Sequence, residues 1–256
     1  MTIHSSICIA ILAATVATTR AQDVVDGFAA RSFTSSTGVT MPYRLFTPDT
    51  RAHRGPLPIV IYLHGSGGAG TDNLKQISGG NTDGTHAWIA PDMQARHPAF
   101  VLAPQMPGGN QWGAPRSDEI TPHAALVLEL LASLSKELAI DSDRVYLVGQ
   151  SLGGRGTWDL ISKRPDLFAA AVPLCGDGSA TRISKARAVP VWAFHGARDE
   201  VIPVSASREL VAALKAAGSS VKYTEYPDTG HNVWTRAFSE KDLAEWMFMQ
   251  RRPKRH

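Results

Sequence analysis

Three short runs of the chain carry a hydroxyl, a carboxylate and an imidazole in contexts that favour chemistry. Gly149-Gln150-Ser151-Leu152-Gly153 sets a serine among small residues, His195-Gly196-Ala197-Arg198-Asp199 ends on a carboxylate, and Gly230-His231-Asn232 presents a histidine. A serine hydroxyl is a poor nucleophile at neutral pH. It needs an imidazole to take its proton and a carboxylate to fix the tautomer of that imidazole and stabilise its cation. Ser151, Asp199 and His231 supply that set. The G-x-S-x-G pattern alone is a modest signal, and its context strengthens it. Val145-Tyr146-Leu147-Val148 reads as a buried strand directly before it, and a helical segment follows. Ser151 is therefore expected at a sharp strand–turn–helix corner, where Gly149, Gly153 and Gly154 let the chain close without side-chain clash. The helix N-terminus behind it favours developing negative charge.

A fourth run, His64-Gly65-Ser66-Gly67-Gly68, follows the apolar stretch Pro58–Leu63. So glycine-rich a loop lets backbone N–H groups face a ligand. The expected oxyanion donors are the amides of Leu152 and Ser66, with Gly67 as the substitute for the second. Gly65, Gly67 and Gly70 also fit G-x-G-x-x-G, a dinucleotide fingerprint. That motif requires a helix opening at once and an acidic residue ending the next strand. The next strand ends Leu102-Ala103-Pro104-Gln105, and Asp92 sits in a helical segment, so no dinucleotide site is expected. Asp228 competes with Asp199 as the acid but reads better as a turn former after Pro227. His64 and His195 read as structural, Cys175 and Trp158 as core. Trp112 and Trp234 lie in loops near the motifs and fit core packing or a substrate-facing aromatic wall equally well. They join Gln150, neighbour of the nucleophile, as candidate substrate-binding residues.

Elements must deliver these residues to one place. Residues 27–33 and 39–46 read as two strands around Ser36-Thr37-Gly38, antiparallel by their proximity. Continuous β-branched apolar runs at 58–63, 99–103, 145–148, 168–174, 189–194 and 221–226 suit strands buried on both faces. Helical patterns lie between them at 120–138, 151–163, 205–217 and 238–249. Strands alternating with helices give an α/β, doubly wound sheet. An antiparallel start, a parallel continuation and the order Ser…Asp…His are those of an α/β-hydrolase. We expect eight mostly parallel strands and no large cap domain. The 175–188 interval has room for one short helix, and the longer 66–98 segment opens glycine-rich and polar. There is no internal repeat, linker or low-complexity tract.

The 256 residues are 43% hydrophobic and 19% charged, with a net charge of +3 and both signs mixed. That suits a single large domain and offers no basic stripe for nucleic acid. Arg251, Arg252, Lys254 and Arg255 read as a frayed, solvated tail. At the other end, Ile7–Ala17 is apolar but too short to span a bilayer, and Thr19-Arg20-Ala21 precedes Gln22 as a signal peptidase requires. Residues 1–21 are read as a signal peptide and 22–256 as the catalytic domain, secreted or periplasmic; a buried N-terminal helix is the plainer alternative. No other segment is apolar enough for a membrane span. Removal of the leader takes Cys8 with it and leaves Cys175 alone, so neither an intrachain disulfide nor a cysteine-built zinc site is expected.

The stretch Leu102–Trp112 (LAPQMPGGNQW), then DRVYLVGQSLGGRGTWDL, VPLCGDG, VPVWAFHGARDEVIPV and YTEYPDTGHNVW resemble a bacterial carboxylesterase family. That family is often labelled predicted peptidases or phospholipase/carboxylesterases, and is similar to feruloyl esterases, acetylxylan esterases and polyhydroxyalkanoate depolymerases. The resemblance covers roughly residues 40–250. It implies Ser151, Asp199 and His231 as the triad, Ser66 and Leu152 as oxyanion donors, and no metal or organic cofactor. Gln150 and Leu152 depart from the residues many relatives carry beside the serine, which leaves the pocket shape open. The expected function is a secreted serine carboxylesterase acting on a small-molecule or polymer-borne ester. A peptidase or thioesterase with the same triad is the alternative, and a non-catalytic binding module is disfavoured by the full set of motifs.

Overall fold

The computed structural model describes residues 23–252. The expected signal peptide 1–21, with Cys8, lies outside the described residues, as do Lys254 and Arg255. Nine strands form one sheet: β1 (Val24–Val25), β2 (Phe28–Thr34), β3 (Thr40–Phe46), β4 (Leu57–Leu63), β5 (Phe100–Pro104), β6 (Ile140–Gln150), β7 (Ala170–Leu174), β8 (Trp192–Gly196) and β9 (Lys222–Tyr226). Their order is β1-β2-β3-β5-β4-β6-β7-β8-β9. β1, β2 and β3 pair antiparallel, β3 meets β5 antiparallel, and all later pairings are parallel. The eight expected strands are present, and the two-residue β1 extends the edge. β6 begins earlier than its apolar run because Ile140 pairs with Leu57 at the start of β4, and the polar residues up to Arg144 bulge out before pairing resumes at Val145–Ile59.

Alternation along the strands separates two cores. Ile59, Ile61, Leu63 and Leu147 face α3 (Pro122–Glu137), α4 (Leu152–Lys163) and α5 (Ser205–Ala216). Val60, Tyr62, Tyr146 and Val148 face the other layer: α1 (Thr82–His86), α2 (Pro91–Arg96), α6 (Trp234–Phe238) and α7 (Leu243–Phe248). Of the helix expected over 238–249 the chain forms α7 alone, five residues late, while Phe238 closes α6. The polar Ser239–Asp242 stretch separates them, and Glu240 turns there to accept the Tyr226 hydroxyl at 2.7 Å. No described helix is long and apolar enough to cross a membrane.

Two polar anchors set the loops at the carboxyl edge. Arg44 of β3 is buried, and its guanidinium donates to the carbonyls of Asn73 (2.6 Å), Asp23 (2.9 Å) and Phe28 (3.2 Å). This holds the chain that leaves β4. Lys163 of α4 bonds Asp159 (2.7 Å) and the carbonyls of Ala114 and Glu119, while the Ala114 amide also donates to Asp159. The 114–119 loop is thereby tied to α4. The reading of the C-terminus as a free basic tail is corrected at its first two residues: Arg251 pairs with Asp141 and Arg252 with Asp143, each at 3.1 Å.

The Asp159–Lys163 pair is almost fully buried, with side chains 1% and 5% exposed. Removing one partner strands a buried charge, so Lys163→Met is expected to cost about 3–5 kcal/mol. The double variant Asp159→Leu/Lys163→Met is expected to recover part of that loss. Urea unfolding midpoints check both.

Candidate active site

Ser151 stands between β6 and α4 with φ 53° and ψ −115°. This left-handed backbone is strained for any residue with a Cβ. The corner is held by the Ser151 amide on the Leu174 carbonyl (2.9 Å) and the Arg155 amide on the Ser151 carbonyl (2.9 Å). The glycines are needed for close approach: a Cβ on Gly153 would strike the Leu63 carbonyl, and one on Gly149 the Gly153 carbonyl. The other two loops are joined by backbone bonds. Ala197 N–H donates to Tyr226 (2.9 Å) and Arg198 N–H to Thr229 (3.0 Å), so the loops after β8 and β9 lie side by side.

These corners bring the three sequence-predicted side chains into one hydrogen-bonded chain. His231 Nε2 lies 2.8 Å from Ser151 Oγ, and His231 Nδ1 lies 2.7 Å from Asp199 Oδ2. An ionised carboxylate only accepts, so Nδ1 carries hydrogen and Nε2 accepts from the serine hydroxyl. Asp199 Oδ1 takes the amides of Val201 and Ile202, both at 2.9 Å. Burial pushes the Asp199 carboxyl up, but the bonds from His231, Ile202 and Val201 outweigh it and hold it below the usual carboxylate range. Asp228 is exposed and pairs with Arg236 at 2.6 Å instead of His231.

Ser66 begins the turn Ser66–Gly68, and Leu152 begins α4. First-turn amides have no partner within their own helix. Among the described residues the amides of Ser66, Gly67 and Leu152 meet no protein acceptor. The cleft above Ser151 is about 320 Å³ and is lined by Gly65, Ser66, Gly67, Lys75, Ser78, Gly79, Gly80, Asn81, Gln150, Ser151, His231 and Trp234. Trp234 stands perpendicular to His231, with ring centroids 5.8 Å apart. A Cβ added at Gly67 or Gly79 would meet nothing within 4 Å.

Two substrate-binding expectations change. Trp112 is fully buried; its indole donates to the His64 carbonyl (3.2 Å) and packs edge-on against that imidazole. It is core and does not line the cleft. Gln150 reaches the cleft, but its amide is spent on a tether: it accepts from Tyr62 (2.7 Å) and donates to the Gly80 carbonyl (2.8 Å). His64 is buried, bonds Gly65 and Met106, and is pushed down by burial to about 4. Lys75 and the Ser78–Asn81 wall were not singled out from the sequence. The Gly79-Gly80 pair inside a long irregular segment was the available signal. Asn81 secures that wall, accepting the Gly65 amide at 3.0 Å and donating to the Lys75 carbonyl at 3.2 Å.

One group among the described residues has metal-ligand chemistry: Cys175, Asp199 and His231. Asp199 and His231 are bonded to each other, and burial pushes the Cys175 thiol well up. The set is a hydrogen-bonded relay backed by a neutral thiol, with its donors already committed.

A doubly wound sheet with a serine on a strained strand–helix corner, and an acid and a histidine from two later strand ends, defines an α/β-hydrolase. The chain belongs to the dienelactone hydrolase family, whose family model matches residues 41–244. It is similar to "Probable feruloyl esterase C" of Aspergillus niger, 24% identical over 76% of this chain and 68% of that protein. It is also similar to an "Uncharacterized secreted protein" of Arthroderma benhamiae, 27% identical over 73% of this chain but 22% of that one. A solved thermostable esterase superposes with a TM-score of 0.83 at 36% identity, over 89% of this chain and 64% of that chain. The chain thus spans less than two thirds of the length of two of these three relatives.

The positive φ at Ser151 makes one outcome checkable by stability alone. Ser151→Gly is expected to raise stability by about 1 kcal/mol through relief of strain, while Ser151→Ala keeps the strain. A higher urea midpoint for the glycine variant than for the alanine variant verifies this.

Proposed function

We propose that the chain is an extracytoplasmic serine carboxylesterase. The observation that carries this reading is the unbroken chain Ser151 Oγ–His231 Nε2 (2.8 Å) and His231 Nδ1–Asp199 Oδ2 (2.7 Å). Ser151 Oγ attacks the ester carbonyl carbon as His231 Nε2 takes its proton. The carbonyl oxygen becomes an oxyanion that accepts from Leu152 N–H and Ser66 N–H, with Gly67 N–H alongside. Collapse breaks the bond from the carbonyl carbon to the alkoxy oxygen; the alcohol leaves with the proton from His231, and the acyl group stays on Ser151 Oγ. Water then repeats the sequence, and Asp199 stays ionised throughout.

Ser151→Ala is expected to lower kcat by on the order of 10⁶, and Asp199→Asn by about 10⁴ through the wrong histidine tautomer. Asp228→Asn should leave kcat nearly unchanged, and an organophosphonate should label Ser151. Larger loss at Asp228 than at Asp199 would reverse the assignment of the acid.

Substrates of this reading are short acyl esters, including acetyl or feruloyl groups on a polysaccharide and polyesters. Support comes from the small cleft, where Trp234 is the one large apolar side chain among the lining residues and four glycines leave the wall without side chains to bury a long acyl group. A long apolar tunnel would add about 0.8 kcal/mol per buried CH₂ and make selectivity climb with chain length. The interval between β7 and β8 holds one short turn, Ile183–Ala186, and no cap. kcat/KM across p-nitrophenyl esters is expected to peak from acetyl to butyryl and fall by octanoyl, with no rate jump at the solubility limit. Preference for long chains would refute it.

The leader reading belongs to the same proposal, and the secreted relative supports it. Mass spectrometry of protein expressed with its native N-terminus is expected to find a chain starting near Gln22 outside the cytoplasm.

A further inference from the structure

His195 ends the apolar part of β8, four residues before Asp199, and is fully buried. The triad chemistry does not call on it. Its Nε2 lies 3.0 Å from the Ile202 carbonyl and 3.1 Å from Asp199 Oδ2, the oxygen that also takes the His231 N–H. Both neighbours are acceptors only, so His195 Nε2 carries a hydrogen. At the opposite end of the ring, Nδ1 lies 2.7 Å from Ser207 Oγ on α5. Burial keeps this imidazole neutral by pushing it below the usual histidine range. Nδ1 therefore accepts from the Ser207 hydroxyl, and the ring is pinned at both ends. Ile202, whose carbonyl takes the His195 N–H, sends its own amide to Asp199 Oδ1 at 2.9 Å. One ring thus braces the 199–202 turn and borders the carboxylate it presents.

The other ionisable groups nearby do not fill this place. Glu225 pairs across β8–β9 with His195 and is held by Arg208 (2.6 Å) and Tyr223 (2.8 Å). The Cys175 thiol, from the β7 side, lies close to Asp199 and His231 and stays protonated through burial. His231 itself is the remaining neighbour, bonded to the same Asp199 oxygen.

We infer that His195 is a positioning residue for the acid: its N–H disperses the Asp199 charge and locks the turn that aims the carboxylate at His231. The inference rests on the triad reading above. A carboxylate whose charge is partly dispersed stabilises the His231 cation less than a bare one. Without the His195 donor, that cation persists to higher pH, and the aim of Asp199 loosens. A residue that only fills space would change the folded fraction and leave the shape of the pH profile alone.

The test compares His195→Leu, which lacks a donor, with His195→Gln, whose amide can donate from the Nε2 position. Rates on p-nitrophenyl acetate are taken per active site, counted by organophosphonate titration. His195→Leu is expected to lower kcat about tenfold with KM little changed, because a carboxylate off its aim misplaces the His231 imidazole by a fraction of an ångström. Its acid limb in kcat/KM should move to higher pH by about half a unit, and His195→Gln should restore both. Where His195→Leu fails to fold, Ser207→Ala frees the ring and should shift the limb in the same direction by less. A wild-type profile in whichever variant folds, or His195→Gln no closer to wild type than His195→Leu, overturns the inference. Ser151→Ala separates the two levels: residual activity there sinks the triad reading itself, whereas an inert Ser151→Ala with unshifted His195 profiles sinks this inference alone.

Discussion

The backbone of Gly153 passes so close to the Leu63 carbonyl that a methyl group cannot fit between them, and Gly149 meets the Gly153 carbonyl in the same way. This crossing of β4, β6 and the first turn of α4 governs the carboxyl edge. It forces Ser151 into a left-handed conformation and lifts its hydroxyl off the sheet. Leu152 opens α4 directly after that hydroxyl, and Ser66 and Gly67 line the same cleft as Ser151. Strain at one residue is tolerated because two parallel strands and a helix over-determine its position.

Much of this was legible in residues. Ser151 and Asp199 each follow a buried apolar run, His231 follows the half-exposed edge strand β9, whose polar residues weaken the signal, and a parallel sheet delivers all three strand ends to one edge. The buried runs and the glycines around Ser151 are local signals that survive without knowledge of the fold. Trp112 shows where locality fails. A tryptophan in a loop near the motifs is ambiguous until the partner for its N–H is known, and that partner, the His64 carbonyl, lies 48 residues away. The helix expected over 238–249 starts only at Leu243 for a similar reason: Glu240 is claimed by Tyr226, a contact invisible to periodicity. The Ser78–Asn81 wall carries no helical or strand period, so only its glycine pair marks it.

The loops that carry function are fixed mainly by buried polar contacts, two from the sheet, one from α4 and one within the loop itself. Asn81 and Gln150 pin the wall over the cleft, Arg44 pins the segment leading to it, and Lys163 pins the loop before α3. Each is buried or nearly so, which strengthens these bonds and makes an unpaired partner costly. The site is therefore assembled before substrate arrives, with little segmental ordering left to oppose binding.

Gly67 and Gly79 face open space where a side chain would project, yet differ in backbone. Gly79 has φ +57°, which disfavours any other residue, while Gly67 adopts a conformation open to all. The two glycines therefore divide the cleft into a part that can drift and a part that cannot. At Gly67 a chain under selection can add a methyl or a hydroxymethyl without disturbing the sheet, narrowing the mouth one carbon at a time. The fold thus separates the machinery that breaks the bond from the surface that chooses it, so that new preferences can arise by small additions to a scaffold already settled.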